Sequence, residues 1–120
     1  MLAVGEQVLG YVDDQTVRMT TGFSGGIGGS HQDMCGALSA GIMVIGSLHG
    51  RTIPYEDDSL CQELVLRWRD RFARELGSVT CHALRSLGYG SQGAEPCSVL
   101  VGRAADILLG VLNDTKPLTG

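Results

Sequence analysis

The stretch that decides the fold is MCGALSAGIMVIGSL, residues 34–48, where a cysteine stands between a glycine-rich loop and an apolar run. The run 36–48 is too short to cross a bilayer, so it predicts a buried core helix. Cys35 then lies near the start of that helix, where the helix dipole and unpaired N–H groups favour the thiolate. Two more cysteines, Cys81 and Cys97, also stand at predicted helix starts. Three thiols placed in this way suggest one shared redox or metal site.

Helical periodicity runs through nearly the whole chain. The predicted helices are, in chain order, 2–12, 13–19, 31–49, 57–76, 78–87 and 97–112, with Asp13, Ser30 and Thr80 among the caps and Pro96 at the last entry. No strand alternation, internal repeat or interdomain linker is visible. The expected fold is therefore all-α, a compact bundle of about five helices in a single domain spanning residues 1–120. A glycine-rich loop, 21–29, precedes its central helix and is too rich in glycine to hold regular structure.

The strongest helical pattern repeats an apolar residue every fourth position over 60–76. The core is expected to bury six residues together: Val44, Leu64, Trp68, Phe72, Val101 and Leu108. Hydrophobic residues make up 43% of the 120, which excludes a disordered chain.

Charge and targeting signals narrow the functional class. The net charge is −4, and the arginines of the 57–76 helix alternate with acidic residues, which is typical of a solvated face and argues against nucleic acid as a partner. No secretory signal and no membrane-spanning stretch is visible, so a cytoplasmic location is expected. Four cysteines in that compartment favour reduced, metal-bound or redox-active thiols over structural disulfides.

Several motifs together resemble a known family. The run Phe23-Ser24-Gly25-Gly26-Ile27-Gly28, the step Cys35-Gly36-Ala37, the segment Gly77-Ser78-Val79-Thr80-Cys81 and the later Cys97 are similar to the C_GCAxxG_C_C family, which is named as redox-active. The resemblance implies a small helical protein with a redox or cluster-binding role and an electron-transfer or protein partner. It equates Cys35, Cys81 and Cys97 with the second, third and fourth family cysteines.

Three departures from the family pattern stand out. The first family cysteine would fall just upstream of Met1 and is missing from this sequence. The glycine that closes the Cys-Gly-Ala motif is Ala40 here, with Gly41 one place later. Cys61 has no family counterpart, and its place in the first turn of the 57–76 helix predicts a structural, packed residue.

The candidate site is a cysteine cluster. Cys35, Cys81 and Cys97 are the candidate redox thiols and equally the candidate ligands of zinc or an iron–sulfur cluster, since thiolates select these soft metals. A dithiol–disulfide couple among them would need no metal. His31 is a further candidate ligand, because four-residue spacing puts it on the face of Cys35 if both lie in one helix.

The glycine-rich loop is expected to serve the same site. Gly25, Gly26, Gly28 and Gly36 would let the backbone wrap closely around the thiols or their cofactor. A phosphate-binding loop is disfavoured, because the Gly-Lys-Ser/Thr ending and a preceding strand are both lacking.

A second interpretation belongs to a different class. The missing cysteine and the altered glycine also fit a degenerate family member that acts as a helical interaction or assembly module with buried, inert cysteines. The apolar run 37–48 further predicts a symmetric homodimer. No Ser/His/Asp arrangement or acidic pair points to hydrolysis, and enzymatic activity stays open.

Overall fold

Five α-helices make up the part of the chain that the computed structural model describes, residues 10–89 and 97–114. They are α1 (Asp14–Thr20), α2 (Gly36–His49), α3 (Ser59–Leu76), α4 (Cys81–Ser86) and α5 (Cys97–Asp114), with one 3₁₀ turn at Thr21–Phe23. Side chains of α5 are described from Val99 to Asn113. No strand occurs within these ranges, and the predicted all-α class is confirmed.

The core lies between α2, α3 and α5, which all pack against one another. Trp68 and Phe72 of α3 sit at its centre with their rings edge to face, 5.3 Å between centroids. Of the six predicted core residues five are buried: Val44, Leu64, Trp68, Phe72 and Leu108. The prediction that the sixth, Val101, is buried was wrong, because this residue is 41% exposed. Leu100 takes the buried position that was expected for Val101. The buried residues of α5 are Leu100, Ala104, Ile107, Leu108 and Val111.

The central helix begins later than predicted. It ends at His49 as expected, but it starts at Gly36, with Cys35 as its N-cap residue, and not at His31. His31 has φ +62°, a left-handed conformation that a right-handed helix excludes. Ser30 does not cap the helix either: its hydroxyl donates a hydrogen bond to the Gly26 carbonyl, 2.7 Å away.

The other boundaries follow local chemistry closely. Asp13 caps α1 by accepting the Thr16 N–H. Hydrogen bonding with the Thr16 side chain, and then with its backbone N–H, holds the pKa of the Asp13 carboxyl below its usual range. Gly77 ends α3 with φ +101°, as a C-terminal glycine should, and the Thr80 hydroxyl caps α4 by accepting the Ala83 N–H.

Two sequence predictions fall partly or wholly outside the described residues. Of the predicted helix 2–12, residues 1–9 lie outside the described residues, and 10–12 are not helical. Pro96, predicted at the entry of the last helix, also lies outside the described residues. At the front of the glycine-rich loop, Thr21–Phe23 form a 3₁₀ turn where irregular structure was expected.

The contact between α2 and α3 depends on a glycine. A Cβ at Gly41 would overlap the indole ring of Trp68, which lies directly against the helix backbone. This approach lets the indole N–H donate to the Leu38 carbonyl at 2.9 Å. Close packing on Trp68 therefore requires a glycine at position 41.

We expect Gly41→Ala to lower the free energy of unfolding by about 1–3 kcal/mol, because an added methyl overpacks the core at Trp68. The matched control is Gly46→Ala in the same helix, where a Cβ would meet nothing within 4 Å. This change should raise stability by roughly 0.5–1 kcal/mol through helix propensity alone. Urea titration of both variants checks the two signs, and equal effects would contradict the packing argument.

Candidate functional site

Cys35 and Cys81 flank a short antiparallel bridge that ties two loops together. Met34 pairs with Thr80. On one side of this pair the Cys35 N–H donates to the Val79 carbonyl at 2.8 Å, and on the other the Cys81 N–H donates to the Asp33 carbonyl at 2.9 Å. We call segments 33–35 and 79–81 the thiol bridge. Two backbone hydrogen bonds therefore fix both cysteines relative to each other, although they are distant in sequence.

The register of the thiol bridge brings both cysteines to the wall of one cavity. Met34 and Thr80 are each followed directly by a cysteine, and Cys35 and Cys81 both line that cavity. Cys35 lies opposite Val79, which makes Cys81 its diagonal neighbour. Diagonal neighbours of this kind have Cα atoms about 7–8 Å apart, with Cβ atoms somewhat closer.

The glycine-rich loop is wound tightly against this bridge. Five successive residues, 25–29, have φ between +62° and +71°, a left-handed turn closed by hydrogen bonds such as His31 N–H to the Gly25 carbonyl at 2.8 Å. A Cβ built at Gly26 would lie 2.6 Å from the Cβ of Cys81 and 3.1 Å from the Asp33 carbonyl oxygen. Gly26 is thus the residue that lets the loop backbone touch the thiol segment.

The four glycines expected to wrap the site differ in what they do. Gly25 and Gly36 line the same cavity as the thiols, and Gly26 packs directly on Cys81. At Gly28 a Cβ would meet open space, so this glycine serves the turn conformation and not a close approach.

Both cysteines open onto one largely apolar cavity of about 360 Å³. It runs from the thiol bridge between α2, α4 and α5 down to the core at Trp68. Cys35 is 7% exposed and Cys81 is half-buried, so Cys81 is the more accessible of the two. The other cavity-lining residues that carry polar side-chain atoms, besides the two thiols and Trp68, are Ser24, His31, Arg85 and Tyr89.

The remaining predicted site residues have separate positions. His31 lines the cavity with Cys35, but it lies in the loop, so the predicted shared helix face was wrong. Cys97 is the first residue of α5, and its side chain lies outside the described part of the structure. Cys61 is half-buried against the core on α3, as expected for a structural residue.

The described residues lack two further features, a three-residue metal group and a membrane-spanning helix. Within residues 10–89 and 97–114, excluding the undescribed side chains, no three His, Cys, Asp or Glu residues are grouped closely enough to hold a metal ion. In the same described part of the chain, no helix has the length and apolar character needed to cross a membrane.

The family relationship rests on nearly the whole chain. Residues 1–111 match the family model described as "Putative redox-active protein (C_GCAxxG_C_C)". The chain is a member of the C_GCAxxG_C_C family. The match includes all the elements that form the thiol bridge and its glycine loop. Neither the curated proteins nor the solved structures contain a match to this chain.

Several residues that build the site carried no sequence signal of their role. Asp33 and Val79 accept the two hydrogen bonds of the thiol bridge through their carbonyl groups, which every residue type has. Tyr89 lines the cavity and is held by Arg103, which donates to its hydroxyl and also lies over its ring, 5.9 Å from the centroid. Arg103 also donates to the Glu75 carbonyl at 3.3 Å, so it joins the end of α3 to the cavity rim. A basic residue at 103 and a tyrosine at 89 could have been paired only with a fold in hand.

Proposed function

We propose that this protein is a cysteine-based redox protein in which Cys35, Cys81 and Cys97 act together. One observation carries the proposal: the thiol bridge brings Cys35 and Cys81, which are distant in sequence, to the wall of one cavity. Packing alone does not require two cysteines distant in sequence to be diagonal neighbours. Cys97 begins the helix whose Leu100 and Val101 line that cavity, which supports its inclusion as the third thiol.

The spacing of the pair favours a shared metal or cluster over a direct disulfide. A disulfide requires Cα atoms within about 7 Å, and a diagonal pair lies at or just beyond that limit. Two sulfurs that bind the same ion need only come within roughly 4 Å of each other, which longer Cα separations allow. We therefore infer an iron–sulfur cluster or zinc as the resident group, with oxidation to a disulfide as the competing chemistry.

The donor set fits such a group by its chemistry. Cys35, Cys81 and Cys97 would supply soft thiolate ligands. His31 lines the same cavity, but among the described residues it does not form a three-residue ligand group with Cys35 and Cys81. An iron–sulfur cluster bound there would supply one-electron transfer. The chain's own part is to fix the two described thiols by backbone hydrogen bonds and to surround them with apolar walls that limit water.

The difference in exposure gives the two described thiols different tasks. The half-buried Cys81 is the one that an external electron-transfer or protein partner would meet first, and Cys35 lies behind it. In the absence of metal, oxidation of the pair to a disulfide would release two electrons and two protons to such a partner. Gly26 of the loop packs directly on Cys81, so the loop backbone occupies that side of the residue.

The decisive experiment compares three serine variants prepared anaerobically. We expect Cys35→Ser and Cys81→Ser to abolish retention of iron or zinc, or reversible oxidation in a metal-free preparation. Cys61→Ser is the matched control, and it should leave both properties intact because Cys61 lies on α3 against the core. Metal analysis, thiol titration and redox titration of each variant give the readouts.

The same experiment tests the alternative of an interaction module with inert cysteines. If wild-type protein retains no metal and its thiols show no reversible oxidation, the redox proposal is wrong. Equal behaviour of Cys35→Ser and Cys61→Ser would contradict it as well. The predicted homodimer can be tested on the same preparations by light scattering, where a strict monomer at high concentration would exclude it.

A further inference from the structure

The cavity beside the thiols is large enough for a small organic molecule. Its volume of about 360 Å³ falls within the range of small-molecule sites, roughly 300–1,000 Å³. Its deep walls are apolar and come from three helices: Val44 of α2, Trp68 of α3, and Leu100, Ala104 and Leu108 of α5. Such walls favour a ring or chain without charge in the interior.

The cavity also carries a cation without a counter-charge. Arg85, on α4, lines it and is half-buried. None of the described residues that line the cavity is acidic, and no ion pair to Arg85 occurs among the described residues. By contrast, Arg67 and Arg71 of α3 pair with Glu63 and Glu75 on the outer surface. A guanidinium at an apolar cavity is suited to a carboxylate, sulfonate or phosphate group.

We propose that this cavity binds a small amphipathic anion, with its apolar body against Trp68 and its acidic group at Arg85. The apolar walls select the body, and the cation selects the charge. The ligand would lie beside Cys35 and Cys81, because these two cysteines line the same cavity. Binding does not require the thiols to be redox-active, so this inference stands or falls independently of the proposed function.

A pair of probes that differ only in charge tests the proposal. 8-Anilinonaphthalene-1-sulfonate carries a sulfonate, and N-phenyl-1-naphthylamine has the same rings without it. Trp68 is the single tryptophan of the chain and lines the cavity, so its fluorescence reports binding directly. We expect both probes to quench Trp68, with the anionic probe bound more tightly.

Two variants separate the charge from the walls. Arg85→Gln should weaken binding of the anionic probe by about ten-fold or more, as expected for loss of a charge-assisted hydrogen bond. Binding of the neutral probe should stay nearly unchanged. Arg69→Gln is the matched control, since Arg69 lies on the outer surface of α3. Ala105→Phe places a ring in the cavity and should weaken both probes.

Three outcomes would overturn the proposal. One is the absence of Trp68 quenching by either probe in the native protein. Another is an equal response of the anionic probe to Arg85→Gln and Arg69→Gln, which would remove the role of the cation. The third is unchanged binding in Ala105→Phe, which would place the probes elsewhere. Near-ultraviolet circular dichroism of each variant confirms native packing, because the anionic probe also binds loosely packed states.

Discussion

Trp68→Ala is expected to lower the free energy of unfolding by about 3–5 kcal/mol, the range for removing a large buried aromatic side chain. Trp68 is 1% exposed and packs against Phe72 on one side and the backbone of α2 at Gly41 on the other. The surroundings cannot collapse easily into the space, because one wall is helix backbone and the adjoining cavity is already open. Urea titration at equilibrium measures the loss.

Two further substitutions on α3 make that result interpretable. Leu66→Ala removes an apolar side chain that is 58% exposed, and it should change stability by no more than about 0.5 kcal/mol. Trp68→Phe keeps an aromatic ring but loses the N–H that donates to Leu38, so its cost should fall between the two. A Trp68→Ala loss no larger than that of Leu66→Ala would contradict the central position of this side chain.

The helices were predictable because their signals are local. The four-residue repeat of α3, its glycine stop at Gly77 and the Thr80 cap are each contained within one or two turns of sequence. The fold class follows from such signals alone. Helix α5 shows the limit of such local signals. Val101 and Leu100 are both apolar, and only packing against α3 decides which of the two is buried.

The start of α2 was missed for a different reason. Ile27 and His31 have positive φ, which their residue types do not predict. A β-branched residue such as Ile27 rarely adopts this conformation. The conformation is imposed by hydrogen bonds across the loop and by the pairing of Met34 with Thr80. The run of glycines predicted a close approach of the backbone. It predicted neither the left-handed conformation of the loop nor the contact of Gly26 with Cys81.

The cysteine pair could be suspected from sequence but not placed. The helix-start position of Cys81 was predictable, because its cap residue Thr80 is local. Cys35 was expected near a helix start, but the cap was assigned to Ser30 and not to Cys35 itself. The placement of the two cysteines beside each other depends on the pairing of Met34 with Thr80 between distant segments, and the two hydrogen bonds that set this register use backbone groups common to all residues. That is why the family motif identified the cysteines while only the fold shows how two of them are related.

Gly26→Ala is the substitution that should disturb the thiol bridge most. The added Cβ would lie 2.6 Å from the Cβ of Cys81, and φ at this position is +68°. Left-handed strain costs roughly 1–2 kcal/mol and overpacking a further 1–3 kcal/mol, so we expect a loss in unfolding free energy of about 2–5 kcal/mol. Gly28→Ala is the matched control: its φ is +62°, but a Cβ there meets open space, so only the strain of about 1–2 kcal/mol remains.

Comparison of Gly26→Ala with Gly28→Ala also separates backbone strain in the loop from an effect on the reactivity of Cys81. In Gly26→Ala the loop or Cys81 must shift, so the rate at which a small alkylating agent modifies Cys81 should change by several-fold, measured by mass spectrometry of the folded protein. In Gly28→Ala the rate should stay close to that of the wild type, because nothing near Cys81 has moved. The rate at Cys61, which packs against the core in α3, serves as the internal standard in both variants. Equal Cys81 rates in the two variants would show that Gly26 serves only the turn and does not shape the thiol site.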